Sequence, residues 1–259
     1  MSSRFVVVIP ARFSSSRLPG KILLPVNGKP MVQHVYERAV KSSASQVVIA
    51  ADDKKIVDAV KKFGGNVVLT STDHQSGTDR LEEAANILKM SDNDIVVNVQ
   101  GDEPLIPPAV IDQVAENLAK DEACSVATLC EKINCSDVFL DPNSVKVIKD
   151  VDSRAIYFSR APIPFPRDEM DGLTFLKKEI NPHVFENTFR HIGIYGYRVS
   201  LLRQFVGWPM APLESIEKLE QLRVLYNGKK IHVEEACEMV PAGVDTDNDL
   251  ERVKKIIAS

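Results

Sequence analysis

The most distinctive polar segment of the sequence follows an apolar run near the N-terminus. After Val6–Ile9 comes PARFSSSRLPGK, residues 10–21, which combines three cations, three serines and a glycine. Hydroxyls, backbone N–H groups and fixed cations suit phosphate oxygens, and Gly20 permits a close approach of the backbone. The segment lacks the GxxxxGK[ST] pattern of a Walker A loop. It predicts a phosphate-binding loop, with a solvated basic surface turn as the alternative when the loop is considered alone.

Two acidic residues are candidates for holding a divalent cation. Asp102 follows an apolar run in IVVNVQGDEP, and Asp245 lies in GVDT, directly before a predicted helix with Thr246 as N-cap and Asp249 completing the cap. Mg²⁺ usually keeps several waters and takes one or two protein carboxylates together with substrate phosphates. From the residues alone, two alternatives stay open: a turn that uses Asp and Gly for its geometry at Asp102, and a plain loop aspartate at Asp245.

The segment DHQSGTDR, residues 73–80, joins a predicted strand to a predicted helix. Its amides, hydroxyls and arginine suit hydrogen bonds to the edge of a base, and the N-terminus of the following helix favours an anion. An N-cap at Thr78 or Asp79 accounts for part of the motif without any ligand. His74 is predicted to be structural or to face solvent.

Short β-branched runs alternate with longer amphipathic segments over the first 130 residues. Strands are predicted at 5–9, 46–50, 66–69 and 94–99, and helices at 31–41, 54–63, 79–89 and 107–118. This alternation is typical of βαβ units, which form a parallel sheet with helices on both faces. Ligands bind beyond the carboxyl ends of such strands. The basic loop and Asp102 are therefore expected at the same edge of the sheet.

The pattern changes beyond Cys130. Strands are predicted at 145–149, 192–197 and 230–234, and helices at 212–226 and 247–257. Between the first two strands lies a Pro-rich, charged stretch, in which APIPFPRDEMDG is incompatible with a regular helix.

The composition narrows the classes of ligand and location. A net charge of −4 and a pI near 5.8 give no general attraction to nucleic acid or anionic membranes, so an anion site requires a local cluster of Lys and Arg. The apolar run at the N-terminus is too short for a signal peptide, and no run approaches the roughly 20 residues of a membrane-spanning helix. The four cysteines lack CxxC spacing. The sequence thus predicts a protein of the reducing cytoplasm without membrane insertion.

In order along the chain, seven segments resemble the motifs of the 3-deoxy-manno-octulosonate (KDO) cytidylyltransferases, also called CMP-KDO synthetases: PARFSSSRLPGK, HQSGTDR, NVQGDEP, FSRAPIP, RHIGIYGYR, LESIEKLEQLR and GVDT. The resemblance covers almost the entire chain. It implies a single Rossmann-like α/β domain of the nucleotide-diphospho-sugar transferase type, with a mixed, mainly parallel sheet. Residues 1–130 are expected mainly to bind CTP, and residues 131–259 mainly to bind the sugar and form a homodimer contact.

The reaction implied by the resemblance is the transfer of CMP from CTP to KDO, with release of pyrophosphate, for lipopolysaccharide assembly. Arg12 and Lys21 are expected to grip the triphosphate, and Asp102 and Asp245 to hold Mg²⁺. The other positions expected around the nucleotide are Pro10, Ala11, Gln75, Ser76, Gly77, Arg80 and Gln100. The positions expected on the sugar are Arg160, His191, Tyr195, Glu220 and Gln221.

Some assignments stay open at this point. Tyr195 is also compatible with packed strand core, and Glu220 with a solvated helix face. Residues 168–187 match no motif of the family, and Phe13 stands where relatives often have Tyr. The alternative substrates are an 8-amino variant of KDO and a sialic acid. A non-catalytic nucleotide-binding protein is the alternative of another class, although the presence of Lys21, Asp102 and Asp245 together argues against it.

Overall fold

The computed structural model describes residues 4–14, 18, 20–74, 76–167 and 182–258. The predicted site residue Gln75 and most of the unmatched stretch 168–187 lie outside the described residues. Two compact units emerge from the chain: the first comprises Met1–Lys120, Ile194–Gly207 and Cys237–Ser259, and the second comprises Asp121–Gly193 and Trp208–Ala236. The assignment of residues 1–130 to CTP and 131–259 to the sugar stays a prediction.

The secondary structure alternates between strands and helices. The strands are β1 (Phe5–Ala11), β2 (Pro25–Val26), β3 (Lys29–Pro30), β4 (Gln46–Ala51), β5 (Val67–Leu69), β6 (Ile95–Asn98), β7 (Val126–Lys132), β8 (Lys146–Lys149), β9 (Ala155–Ser159), β10 (Phe189–Arg198) and β11 (Ile231–Glu235). The α-helices are α1 (Met31–Ala39), α2 (Lys54–Lys62), α3 (Gly77–Ile87), α4 (Pro108–Lys120), α5 (Ser136–Leu140), α6 (Val199–Phe205), α7 (Pro212–Glu217), α8 (Gln221–Tyr226) and α9 (Asp247–Ala258).

In the first unit, β1 lies between β4 and β6 and runs parallel to both. Strand β5 continues the sheet beyond β4 in the same direction, and the segment Tyr195–Arg198 of β10 pairs antiparallel with β6. The sheet is therefore mixed and mainly parallel, which confirms the predicted fold class. Its central strand begins with the apolar run Phe5–Ile9, which is buried throughout and is typical of a parallel strand covered on both faces. Helices α1, α3 and α4 contact the strands.

A hydrophobic cluster holds the C-terminal segment of the first unit in place. Val244, Leu250 and Val253 pack with Met31 and Leu105 in this cluster. Val244 is fully buried, and burying a valine side chain contributes about 1.5–3 kcal/mol relative to leaving it exposed. The residues beside Val244 are consequently held close to the segment that follows β6.

The second unit contains a parallel pair and an antiparallel group of strands. Strand β11 pairs parallel with β7, and β8 pairs antiparallel with β9 and with the beginning of β10. Ile133, Phe139 and Phe185 form a small hydrophobic cluster, in which the two aromatic rings meet edge to face. Strand β7, strand β9 and helix α5 were not among the predicted elements.

The predicted elements of the first 120 residues are confirmed within two residues at each end. The sequence pattern did not predict the hairpin of β2 and β3, because each of these strands contains only two residues. Its turn residues, Asn27 and Gly28, both have positive φ, as expected for an Asn-Gly hairpin turn. In the described residues no helix combines the length and apolar character required to cross a membrane.

The single helix predicted at 212–226 is wrong, because the segment forms two helices, α7 and α8. Lys218 adopts a left-handed conformation, with a φ of 55°, and ends α7. Glu214 and Arg223 form an ion pair with both side chains nearly buried and N–O distances of 2.6 and 2.8 Å. On one continuous helix these residues would face roughly opposite sides, about 13 Å apart along the axis. The ion pair therefore requires the break, which apolar spacing does not reveal.

Candidate active site

Three distant segments of the first unit converge at the Lys21 ammonium. Its Nζ lies 2.5 Å from Asp102 Oδ2, 3.2 Å from Asp245 Oδ1 and 2.9 Å from the carbonyl oxygen of Val244. The side chain of Lys21 is mostly buried, whereas that of Asp245 is half exposed. The structure thus brings together three of the four residues that were predicted to be catalytic.

Glycines allow the three segments to approach. A Cβ on Gly101 would lie 2.8 Å from Ile22 Cδ1 and 3.0 Å from the carbonyl oxygen of Pro10, so a side chain there would collide with the end of β1. A Cβ on Gly243 would lie 3.1 Å from the carbonyl oxygen of Asp102, which also accepts a 2.9 Å hydrogen bond from Val244 N–H. Backbone contacts therefore set the separation of the two carboxylates, in addition to the attraction of Lys21.

The start of α9 fixes the segment that carries Asp245. Thr246 Oγ1 accepts a hydrogen bond from Asp249 N–H, and Asp249 Oδ2 accepts from Thr246 N–H at 3.0 Å. This reciprocal arrangement is a capping box and confirms the predicted helix start. Because Asp245 is not needed for the cap, its carboxylate is available to Lys21.

Two opposing influences act on the pKa of Lys21. Burial alone would lower the pKa of Lys21, but hydrogen bonds and charge attraction from Asp102 and Asp245 outweigh burial and raise this pKa. The neighbouring Glu103 behaves differently, because burial and the charge of Asp102 raise its pKa to about 8. Its Oε2 is buried without a hydrogen-bond partner in the described part of the chain. Glu103 was not predicted, although its place beside Asp102 in the same motif was a usable signal.

The donor atoms around Lys21 suit a hard divalent cation. Two carboxylates and a carbonyl oxygen already stabilise one positive charge at this point. Mg²⁺ prefers oxygen ligands and binds through one or two carboxylates together with substrate phosphates and water. Within residues 4–14, 18, 20–74, 76–167 and 182–258 there is no cluster of three or more His, Cys, Asp or Glu residues arranged for a metal. Asp102 and Asp245 thus fit a metal that takes its remaining ligands from substrate and water.

Residues predicted around the nucleotide lie at strand ends of the same unit. Pro10 and Ala11 end β1, and the exposed Arg12 follows them directly. The half-buried Gln100 lies two residues beyond β6. This places the basic loop and Asp102 after adjacent parallel strands, at the edge predicted from the sequence.

Helix α3 begins at a capping box rather than at Thr78 or Asp79 as N-cap, so that prediction is wrong. Ser76 is the N-cap: its hydroxyl accepts from Asp79 N–H at 3.2 Å, and Asp79 Oδ2 accepts from Ser76 N–H at 3.0 Å. Asp79 is the third residue after the N-cap, and its side chain binds back to the Ser76 N–H. The helix therefore starts before the position predicted from the sequence. Gly77 is the first helical residue. His74 is structural, since its Nε2 lies 2.5 Å from Glu83 Oε2.

Arg80 is fully buried in α3, although it was predicted to lie near the base or ribose. Its guanidinium donates to Thr70 Oγ1 at 2.5 Å and to the carbonyl oxygen of Ser71 at 3.1 Å, and it pairs with Asp52 at 3.3 Å. Burial lowers its pKa, with a smaller contribution from the charge of Arg12, while Asp52 opposes both. These contacts give Arg80 a supporting role in the protein, and its role toward a nucleotide stays a prediction.

The residues predicted to bind the sugar are distributed over both units. Tyr195, in the first unit, is half-buried in β10, with its ring stacked on that of Tyr197 at a centroid distance of 5.7 Å. The others lie in the second unit. Glu220 is half-buried and precedes α8, and Gln221 is the buried first residue of that helix. Glu220 thus lies where the two helices separate and is only partly exposed to solvent, and its role toward the sugar stays a prediction.

Arg160 and His191 of the second unit are engaged with protein groups. The Arg160 guanidinium donates to the carbonyl oxygens of Glu217 at 2.7 Å and Pro142 at 2.9 Å. The His191 Nε2 lies 3.0 Å from Thr128 Oγ1. Burial, with a smaller contribution from a neighbouring arginine, lowers the pKa of His191 to about 3, so its imidazole is neutral near pH 7.

The sequence is similar to those of cytidylyltransferases over most of its length. A family model described as cytidylyltransferase matches residues 6–231. The 3-deoxy-manno-octulosonate cytidylyltransferase of Saccharophagus degradans is 56% identical over 255 residues, covering 98% of this chain and 99% of its own. The enzyme of the same name from Cellvibrio japonicus is 58% identical over 256 residues, covering 98% of each chain.

Solved structures show the same relationship. A structure of CMP:2-keto-3-deoxy-manno-octonic acid synthetase complexed with CTP has a TM-score of 0.87 at 41% identity and covers 99% of both chains. A cytidylyltransferase from Leptospira borgpetersenii has a TM-score of 0.61 at 20% identity, covering 99% of this chain and 87% of its own. The second similarity concerns the fold alone.

Proposed function

The chain belongs to the 3-deoxy-manno-octulosonate cytidylyltransferase family, and from this premise we propose that it transfers CMP from CTP to KDO, forming CMP-KDO and pyrophosphate. The observation that carries the proposal is the convergence of Lys21, Asp102 and Asp245. A cation at the carboxyl edge of a parallel sheet suits a polyphosphate substrate, and the two carboxylates suit the Mg²⁺ that would accompany it. The relatives align with this sequence over nearly its whole length.

The chemistry requires positioning and charge compensation rather than a protein nucleophile. In the proposed reaction, the oxygen of the KDO anomeric hydroxyl bonds to the α-phosphorus of CTP and its proton is released to water, while the bond from that phosphorus to the pyrophosphate oxygen breaks. Both substrates are anionic, so their repulsion must be offset. Arg12 and Lys21 are proposed to contact the triphosphate and stabilise negative charge on the departing pyrophosphate.

Lys21 must exchange partners to perform this role. In the structure its ammonium contacts both carboxylates and the Val244 carbonyl. A triphosphate offers more negative charge than the pair of carboxylates, so we expect the ammonium to move toward the phosphates when CTP binds. The movement frees carboxylate oxygens at the same point.

Asp102 and Asp245 are proposed to hold Mg²⁺ through these oxygens. When bound there with the substrate, Mg²⁺ supplies charge stabilisation to the phosphates as a Lewis acid. Chelation of divalent cations is therefore expected to abolish pyrophosphate release, and added Mg²⁺ to restore it. Calorimetry of Mg²⁺ and CTP binding to Asp245→Asn provides a readout that does not depend on turnover.

Selectivity for the two substrates is assigned to separate residues. The preference for CTP is proposed to arise from Pro10, Ala11, Gln75, Ser76, Gly77, Arg80 and Gln100. Contacts to KDO are proposed for Arg160, His191, Tyr195, Glu220 and Gln221. Residues 1–130 then mainly bind CTP, and residues 131–259 mainly bind the sugar.

Pyrophosphate release across candidate sugars tests the proposal most directly. Steady-state assays with CTP and Mg²⁺ are expected to give a higher kcat/KM for KDO than for 8-amino KDO or a sialic acid. An equal or higher value for the amino sugar would contradict the substrate assignment. Binding of CTP without pyrophosphate release for any of the three sugars would instead indicate a non-catalytic nucleotide-binding protein.

We also propose that the protein acts as a cytoplasmic homodimer in lipopolysaccharide assembly. The second unit exposes apolar side chains at Met210, Leu213, Ile216 and Tyr226, which a partner subunit would cover. Light scattering of the purified chain is expected to give about twice the monomer mass. A monomer at micromolar concentration would contradict this assembly.

A further inference from the structure

Asp52 contacts both sides of the backbone at Arg12. This residue directly follows β4, whose last residue pairs with Ala11 at the end of β1. The Asp52 N–H donates to the carbonyl oxygen of Ala11 at 3.3 Å, and its Oδ1 accepts from Phe13 N–H at 2.8 Å. The peptide groups before and after Arg12 are therefore both held by one residue.

The second carboxylate oxygen of Asp52 connects this position to α3. Its Oδ2 lies 3.3 Å from Arg80 Nη2, and the Asp52 side chain is only 9% exposed. Arg80 is fully buried, and among the described residues its other hydrogen bonds run to the neutral oxygens of Thr70 and Ser71. Because a buried cation without a counter-charge is strongly unfavourable, Asp52 keeps Arg80 in this position. The ion pair thereby connects the loop after β1 to α3, whose N-cap is Ser76.

Phe13 closes the far side of the loop. Its carbonyl oxygen accepts a 3.3 Å hydrogen bond from Gly20 N–H, and Gly20 has the left-handed conformation that precedes Lys21. Phe13 thus contacts the residue before Lys21 and is itself bonded to Arg12. Because Asp52 binds the Phe13 N–H, it holds the point where these two parts of the loop meet. A shift at Phe13 is transmitted to Arg12 on one side and to Lys21 on the other.

We propose that Asp52 is a positioning residue for the nucleoside triphosphate. It fixes the backbone at Arg12 and Phe13, and through Phe13 the residue before Lys21, and it connects this backbone to the buried Arg80. This inference rests on the proposed function, because it assigns Asp52 to the same CTP site. Asp52 acts through the two cations and does not itself contact the reacting atoms. Its loss is expected to affect CTP more strongly than the sugar.

The adjacent Asp53 provides a matched control. Asp53 also uses its carboxylate for a backbone contact, accepting from Lys55 N–H at 2.6 Å as the N-cap of α2, but its hydrogen bond is to this helix and not to the loop. Asp52→Ala is expected to raise KM and Kd for CTP by about tenfold or more, with KM for KDO within about twofold. Asp53→Ala is expected to lower thermal stability while leaving both KM values within about twofold.

A conservative variant keeps the test decisive if Asp52→Ala fails to fold. Asp52→Asn retains an oxygen for Phe13 N–H and loses the ion pair, so KM for CTP is expected to rise about threefold. An unchanged KM for CTP in a folded Asp52 variant, or an equal rise in Asp53→Ala, would overturn the inference. Absence of pyrophosphate release by the parent chain would contradict the proposed function instead, whereas an active parent with unaffected Asp52 variants contradicts the role of Asp52 alone.

Discussion

The Lys21 cluster of the first unit and the predicted sugar-binding residues of the second unit use polar side chains in different ways. Around Lys21, unlike charges from three segments meet, and the Asp245 carboxylate is half exposed. In the second unit, Arg160 satisfies two backbone carbonyls and the neutral His191 contacts Thr128. The first arrangement offers charge that a substrate can recruit. The second already uses its polar groups to hold the protein together.

A polar residue in a family motif can therefore serve either a substrate or the stability of the fold. Thr246 and Asp249 cap α9 without the Asp245 carboxylate, which contacts Lys21 instead. The Arg160 guanidinium, by contrast, already donates to two backbone carbonyl oxygens, and breaking these hydrogen bonds costs stability. We therefore expect substitutions in the first region to affect turnover, and substitutions in the second to affect stability first.

The largest effect is expected from Asp102→Asn or Asp245→Asn. Each change removes one negative charge while nearly preserving side-chain volume, so kcat is expected to fall by about 10²–10³ with the fold retained. Turnover is measured by pyrophosphate release at saturating Mg²⁺, and the fold by circular dichroism. Asp247→Asn, in the exposed first turn of α9, is the matched control and is expected to stay within about twofold. Near-normal turnover of Asp102→Asn or Asp245→Asn would show that the substituted residue is not an essential metal ligand.

A pH-dependent effect on stability is expected from His191. Its pKa falls from an ordinary 6.5 to about 3 on folding, so the unfolded chain binds more protons between these values. Stability is therefore expected to decrease as pH falls, by about 2 kcal/mol between pH 7 and pH 5 from this residue. Urea unfolding at both pH values should show a smaller loss for His191→Gln. An identical loss in both proteins would show that His191 becomes protonated in the folded state.

The smallest effect is expected from Arg160→Lys. Lysine keeps the charge but cannot reproduce the two guanidinium hydrogen bonds to Glu217 and Pro142, so the free energy of unfolding is expected to fall by about 1–2 kcal/mol. Urea unfolding measures this loss, and KM for KDO is measured in parallel. Because Arg160 is also proposed to contact KDO, a rise in that KM is compatible with the contrast between the two regions. Unchanged stability would contradict it, since the two carbonyl hydrogen bonds would then not stabilise the fold.

The sequence predicted the sheet of the first unit because its strands are apolar runs of the right length. β1 and β6 are examples, and their parallel pairing places the basic loop and Asp102 at one edge. The contact of Asp245 with Lys21 could not be predicted in the same way, because Asp245 does not follow a strand of the sheet. Its position depends on the Val244 contact with Asp102 and on the missing side chain of Gly243. The family resemblance suggested the pair of aspartates, but local sequence rules do not provide such a contact.

Other errors arose where one local rule competed with another. The spacing of apolar residues at 212–226 fits a helix, but the ion pair of Glu214 and Arg223 is formed only when the chain turns at Lys218. Asp52 was overlooked although it follows β4, the strand beside β1. Asp52 lies beyond the carboxyl end of β4, as Arg12 and Asp102 lie beyond the ends of β1 and β6, so the same rule of placement holds for it.

The separation of Lys21 and Asp245 along the chain also affects the order of events during biosynthesis. The two residues are 224 positions apart and nevertheless share one contact. At about 5–20 residues per second, a ribosome adds Asp245 roughly 10–45 seconds after Lys21. From the addition of Asp102, 81 residues after Lys21, until that of Asp245, the nascent chain carries the basic loop and Asp102 without the second carboxylate. A chain stalled before residue 245 would thus contain most of the first sheet and still lack the group that completes its charged cluster.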